Sequence, residues 1–263
     1  MPSVSYHQRV FLPVLVSVVV LAWLVLWAWT LSPYSGYLNH GDWTSAGPAA
    51  ALCRALPGGE VIVPAVLYGG AWILMTAAMM LPTTLPLFDA FDRLVAGRSD
   101  RMWLLGLLGL GYMAVWGVFG WLAHGLHALL LSGIAQVPML AWHSWLIGAV
   151  IIASAGMFQF SKLKYRCLEK CRTPLSFVIE HWRGRDHARQ AFMLGAHHGL
   201  FCVGCCWALM LLMFAVGAGS LGWMLLLAAV MAIEKNVSWG KKLSAPLGFA
   251  LLAWAALLVA SHT

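Results

Sequence analysis

Seven side chains able to bind a soft or borderline metal crowd one short segment, HHGLFCVGCCWALMLLM, from His197 to Met213. It holds two histidines, three cysteines and two methionines in a run otherwise apolar enough to cross a membrane. At about 100° per helical residue, His198, Cys202, Cys205 and Cys206 fall within an arc of about 100°, and Met213 joins their face. His197 points away and Met210 lies on the flank. A lone buried cysteine behaves as a small hydrophobe. Three on one face, one turn after a histidine, read instead as ligands, because an unpaired histidine in lipid is costly.

Other segments carry matching donors. WILMTAAMMLP sets Met75 and Met79 one turn apart with Trp72 on the same side, and Met80 follows. Pro82 and Pro86 then break the helix, leaving main-chain groups to be satisfied within protein or by water. Met231 and Glu234 share a face, and Glu234 is the only carboxylate near the interior of an apolar span; its alternative is an interfacial residue neutralised by Lys235. KYRCLEKCR puts Cys167 and Cys171 one turn apart on a short helix, a spacing that can clip a metal though looser than C-x-x-C. Because they lie among eight basic residues, at least one of these thiols is expected to have a lowered pKa and to react readily. Thiolate and thioether together favour copper(I). Zinc comes second, since it prefers Cys and His and has little use for Met, and iron–sulfur ligation leaves the methionines unexplained. His124, His127 and His143 form a weaker set, either interfacial histidines or a site for copper(II) or zinc.

The elements that must position these donors are membrane helices. The chain has 263 residues, 62% hydrophobic and 10% charged, against about 25% charged in a soluble domain. No polar stretch is long enough for a soluble domain, so residues 1–263 are expected to form one integral membrane domain, an all-α polytopic bundle. A span needs about 20 apolar residues. Phe11–Leu31, Val61–Leu81, Met102–Ala123, Met139–Phe160 and Ala191–Val216 meet this with no Asp, Glu, Lys or Arg. Leu221–Trp239, with Glu234 and Lys235 near its end, and Ala245–Ser261 bring the expected spans to seven. Their alternation puts all but Arg54 of the 16 Lys and Arg on one side. By the positive-inside rule that side is cytoplasmic, with the N-terminus inside and the C-terminus outside. The net charge of +7 is then topological and no nucleic-acid footprint. The first span has too long an apolar run for a signal peptide, and no small-residue cleavage site follows it. Six cysteines, five of them between Cys167 and Cys206, make a clustered-ligand pattern rather than a disulfide framework.

On this topology the fifth span enters near Ala191, placing His198 about 10 Å and Cys206 about 22 Å inside. The methionines of the second span and Glu234 of the sixth reach the same inner half. The Cys167–Cys171 pair stays just outside, in a basic cytoplasmic loop over residues 161–190.

Four blocks, AMMLPTTLP, KLKYRCLEKCRTPLSF, the His197–Met213 segment and AAVMAIEK, together resemble an uncharacterised bacterial family described as predicted metal-binding integral membrane proteins. The resemblance runs from about Trp72 to Lys242, and C-V-G-C-C-W is its most specific part. It implies that Met79, Met80, Cys167, Cys171, Cys202, Cys205, Cys206 and Glu234 belong to family motifs, in a multi-pass protein of the bacterial inner membrane. No activity comes with it.

Three functions remain open at this stage. The first is a copper-handling membrane protein, a transporter or a chaperone that loads a membrane enzyme, with Cys167 and Cys171 exchanging the ion with a cytoplasmic metallochaperone. The chain lacks the phosphate-binding and phosphorylation motifs of a metal-pumping ATPase. The second is a subunit of a membrane copper-dependent oxidoreductase or monooxygenase, though an almost all-sulfur set suits that chemistry poorly. The third is a structural subunit whose Cys and Met are packing. No nucleophile–base–acid set and no Gly-rich phosphate loop appear. Gly106, Gly109, Gly117 and Gly120 are read as points of close helix approach.

Overall fold

The computed structural model describes residues 12–32, 59–136, 144–184, 186–216 and 220–262. His143 and Arg54 lie outside them. Every regular element among the described residues is helical. In chain order these are α1 (Leu12–Thr30), α2 (Gly59–Met80), α3 (Leu85–Leu94), α4 (Arg101–Gln136) and α5 (Ser144–Phe158). They continue as α6 (Lys162–Arg172), α7 (Pro174–His181), α8 (His187–Val216), α9 (Leu221–Asn236) and α10 (Ser244–Ala260). Short 3-10 turns at Leu81–Thr84 and Gly240–Leu243 lead into α3 and α10.

Five stretches are long and apolar enough to cross a membrane: Leu12–Leu31, Ile62–Leu94, Arg101–Leu130, His187–Met213 and Gly240–Ala260. α5 passes only when joined to α6 across a 63° bend. α9, at 16 residues, is shorter than the expected sixth span, because the helix stops at Asn236 instead of running on to Trp239.

Glycines set the central packing. A Cβ on Gly195 would lie 1.9 Å from the carbonyl oxygen of Leu108, and one on Gly111 would lie 2.0 Å from that of Phe192. Gly199 sits over Tyr112 in the same seam. α4 and α8 therefore touch backbone to backbone and run parallel, as small residues allow. Of the glycines singled out in sequence, Gly120 receives the Trp72 ring, while Gly106 faces open space. Trp72 also donates to the carbonyl oxygen of Trp116 at 2.9 Å, holding α2 antiparallel to α4. Gly156 and Gly248 join α5 to α10, and Trp223 stacks on Trp254 to align α9 with α10.

These contacts define a level within the molecule. α2 and α9 end there and α10 begins there, whereas α4 and α8 continue for several more turns. Their N-terminal turns, with α3, α6 and α7, build a cap beneath the bundle. The Phe91–Trp182 ring pair, 5.0 Å apart, ties α3 to the segment after α7. Above this level the outward surface is apolar, with Leu122, Leu129 and Leu257 largely exposed.

Candidate functional site

The thiols of Cys202, Cys205 and Cys206 are buried on α8 at the junction of bundle and cap. The Cys205 and Cys206 sulfurs are 3.3 Å apart, and the Cys205 thiol donates to the carbonyl oxygen of Cys202 at 3.2 Å. α6 supplies the fourth thiol. Its N-cap, Ser161, accepts from the Lys164 amide at 3.1 Å, as a capping serine should. Its buried residues are Lys164, Cys167, Leu168 and Cys171, the i, i+3, i+4, i+7 stripe of an amphipathic helix. That stripe lies against α8, so Cys171 Sγ comes 3.9 Å from Cys205 Sγ. Cys167 sits over Gly204, where a Cβ would come within 2.6 Å of its sulfur.

The expected cytoplasmic dithiol and the expected buried cluster are thus one site. The expectation that at least one of these two thiols has a lowered pKa and reacts readily is corrected. Both thiols are buried, and burial pushes Cys167 up, because desolvation disfavours the thiolate. Of the basic residues of α6, Lys162 and Arg166 lie on its exposed face, while Lys164 is buried on the stripe itself. Cys202 lies level with the end of α2, where Lys235 links it to Met80 and Thr83.

A lysine stands among the sulfurs. Lys235 Nζ is 2.9 Å from Cys202 Sγ, 3.2 Å from Thr83 Oγ1 and 3.6 Å from Met80 Sδ. Tyr112 Oη shares a hydrogen bond with Cys202 Sγ at 2.9 Å. The proline break at the end of α2 helps to form this wall. Pro82 removes the helical donor to the Ala78 carbonyl oxygen, which accepts instead from Trp23 Nε1 at 3.1 Å, while Thr83 donates to the Met80 carbonyl oxygen at 2.8 Å and Thr84 to that of Leu81 at 2.7 Å. Met75 and Met79 are buried in the same core.

Glu234 turns elsewhere. Successive helical residues diverge by about 100°, and its carboxylate meets Lys164 Nζ at 2.7 and 2.9 Å. Ser244 Oγ donates to the same carboxylate at 2.6 Å, and Gln159 accepts from Lys164. Arg172 donates to the main-chain oxygens of Glu234 and Ser238, where a cation complements a helix C-terminus. α5, α6, α9 and α10 are joined by this hub, which holds α6 beside the thiols. The carboxylate proposed as a ligand is engaged as a buried counter-ion, and the neighbouring Lys235 reaches the sulfurs in its place.

His198 is buried, and its Nδ1 has no hydrogen-bond partner among the described residues. It stands one turn before Cys202. In the outer set, His124 stacks on Tyr68 with centroids 4.3 Å apart. His127 lines an apolar cleft of about 160 Å³ between α4, α5 and α8.

Sequence reading missed Lys235, Tyr112 and Lys164 as parts of the site. The i, i+3, i+4, i+7 stripe of α6 would have found Lys164. No local signal marks Tyr112, which arrives through the α4–α8 glycine seam.

Among the described residues no three His, Cys, Asp or Glu side chains already converge on a single metal position. The thiols form a string, which suits the ion differently from a cage. Copper(I) is satisfied by roughly two or three soft donors, and three sulfurs at about 2.3 Å from one ion stand about 4 Å apart in a plane. The Cys171–Cys205 separation of 3.9 Å fits that spacing and equally the about 3.8 Å edge of a tetrahedral sulfur site. Tetrahedral zinc asks for four convergent ligands. A family model described as PpoB2, copper chaperone, matches residues 69–258, well over half of the chain. No curated protein and no solved structure matches it.

Proposed function

Because the chain belongs to the PpoB2 copper chaperone family, we propose that it is a multi-pass protein of the bacterial inner membrane that holds copper(I) and delivers it to a membrane enzyme. The observation that carries this reading is the approach of Cys171 to Cys205 at 3.9 Å, from two different helices. A ligand set shared between helices can open when they part, which suits an ion that must be handed on. Cys171, Cys202, Cys205 and Cys206 are the sulfur donors in this reading. Cys167, Met75, Met79 and Met80 supply softer surroundings, and His198 is a nitrogen donor on the route. Lys235 occupies the donor side of Cys202, so an incoming copper(I) exchanges one cation for another.

Placing the hydrocarbon around the bundle supports a site at the inner membrane interface. From Tyr112 to Leu130, α4 rises about 28 Å, close to the roughly 30 Å of a bilayer core. The cap then faces the cytoplasm, where a soluble metallochaperone or the enzyme itself could reach it. Seven crossings with the N-terminus inside keep the basic residues on that side.

The test is anaerobic copper(I) titration of the purified full-length protein against a chelator. Wild type should bind at least one equivalent with sulfur ligation. Cys202→Ser with Cys205→Ser should lose that equivalent while remaining folded, since serine is small and α8 keeps its glycine seam. A double variant that retains full sulfur-bound copper, or a wild type that binds none, returns the cysteines to packing.

A further inference from the structure

α7 ends in His181 and packs along the first turns of α8, where His197 precedes the buried His198. The rings of His181 and His197 have centroids 5.5 Å apart and planes inclined at 60°. Nδ1 of His181 is 2.9 Å from the carbonyl oxygen of Phe177. A carbonyl only accepts, so Nδ1 carries the proton and Nε2 keeps its lone pair. Metal-binding imidazoles are oriented by this kind of bond. Both histidines are partly exposed on the cap. Two imidazoles bound at about 2.0 Å through nitrogen hold their ring centroids about 3.1 Å from the ion. A centroid separation of 5.5 Å lies within the about 6.2 Å that two such rings on one ion can span.

The path continues inward. The Phe177 ring separates the pair from His198, with centroids 4.3 Å from His181 and 5.4 Å from His198. His198 is buried with Nδ1 unpartnered. Its ring is 6.2 Å from that of Tyr112, whose hydroxyl bonds Cys202 Sγ. Imidazole at the surface, imidazole in the interior and thiols beyond make a gradient from borderline to soft donors. An ion moving down that gradient binds more tightly at each step without changing oxidation state.

Resting on the copper(I) reading above, we infer that His181 and His197 form a second, nitrogen-donor copper(I) site at the cap surface. It accepts the ion and passes it through His198 to the thiols. His197, which the thiol face excludes, has its role here.

The experiment uses the full-length protein with copper(I) supplied anaerobically in steps, read by X-ray absorption and by the rate of loading. Wild type should take a sulfur-bound equivalent and a weaker one with imidazole ligation. His181→Gln with His197→Gln should lose the imidazole equivalent, keep the sulfur one and load more slowly. His197→Phe, which keeps an aromatic ring against His181, should do the same and so guards against a mere folding defect. Cys202→Ser with Cys205→Ser should keep the imidazole equivalent. Retention of both equivalents by the double histidine variant, or a wild type with sulfur-bound copper alone, overturns the histidine site and leaves the thiol reading standing. A wild type that binds no copper at all overturns both.

Discussion

Lys235 is the residue whose position most changes the chemistry of the cluster. An ammonium 2.9 Å from Cys202 Sγ repels a second cation at the same sulfur, and such repulsion is strong where water is excluded. A carrier that must release its ion gains from a built-in competitor. Lys235→Met replaces that charge with a thioether, so copper(I) affinity should rise by about tenfold, roughly 1.4 kcal/mol, and transfer to a chelator should slow. Weaker binding would instead mean that the lysine serves the thiols by holding them ready. The Lys164–Glu234 pair calls for a different expectation. Both side chains are buried, and removing one partner strands the other, at a cost of about 3–5 kcal/mol. Glu234→Gln should therefore lower the melting temperature, and adding Lys164→Met should restore most of it. Copper loss in Glu234→Gln without loss of stability would mark the carboxylate as a ligand after all.

At the scale of elements, two glycines separate architecture from function. Gly195 meets main chain, with a built Cβ 1.9 Å from the Leu108 carbonyl oxygen. Gly195→Ala must push α4 and α8 apart, and overpacking of this kind costs about 1–3 kcal/mol. Gly204 meets only the Cys167 side chain. Gly204→Ala should displace α6 and weaken copper(I) binding while the melting temperature stays near wild type. Equal effects from the two substitutions would deny α6 its separate role. The α6 stripe was readable in the spacing of KYRCLEKCR, but the helix against which it packs was not. Its basic residues argued for a short helix in a cytoplasmic loop, and the partner face is formed by residues more than thirty positions downstream.

The whole molecule is a bundle of helices long and apolar enough to cross a membrane, set over a cap of shorter helices. Contacts set α4 against α2, α10 against α5 and α10 against α9 in opposite directions, as alternating spans require. A reporter fused after Thr263 should be active only outside the cytoplasm, and cytoplasmic activity would place the cap on the wrong side. The cap also explains why α8 exceeds a bilayer. Its 30 residues rise about 45 Å, and the surplus lies in the cap beside α6 and α7.

Composition and hydropathy by themselves determined the helical class, because a chain with so few charges cannot form a soluble surface. Helical periodicity placed Cys202, Cys205 and Cys206 on one face, since that geometry is local to a single element. The sulfur-rich ligand types pointed to copper(I) for the same local reason. Only the tertiary structure decided that Cys171 joins Cys205 and that Lys235, rather than Glu234, faces the thiols. It also decided that Tyr112 reaches Cys202 and that His197 meets His181. Each of these depends on which helices touch and at what height. That is set by glycine seams and a buried ion pair between distant segments, and no pattern within one segment encodes it.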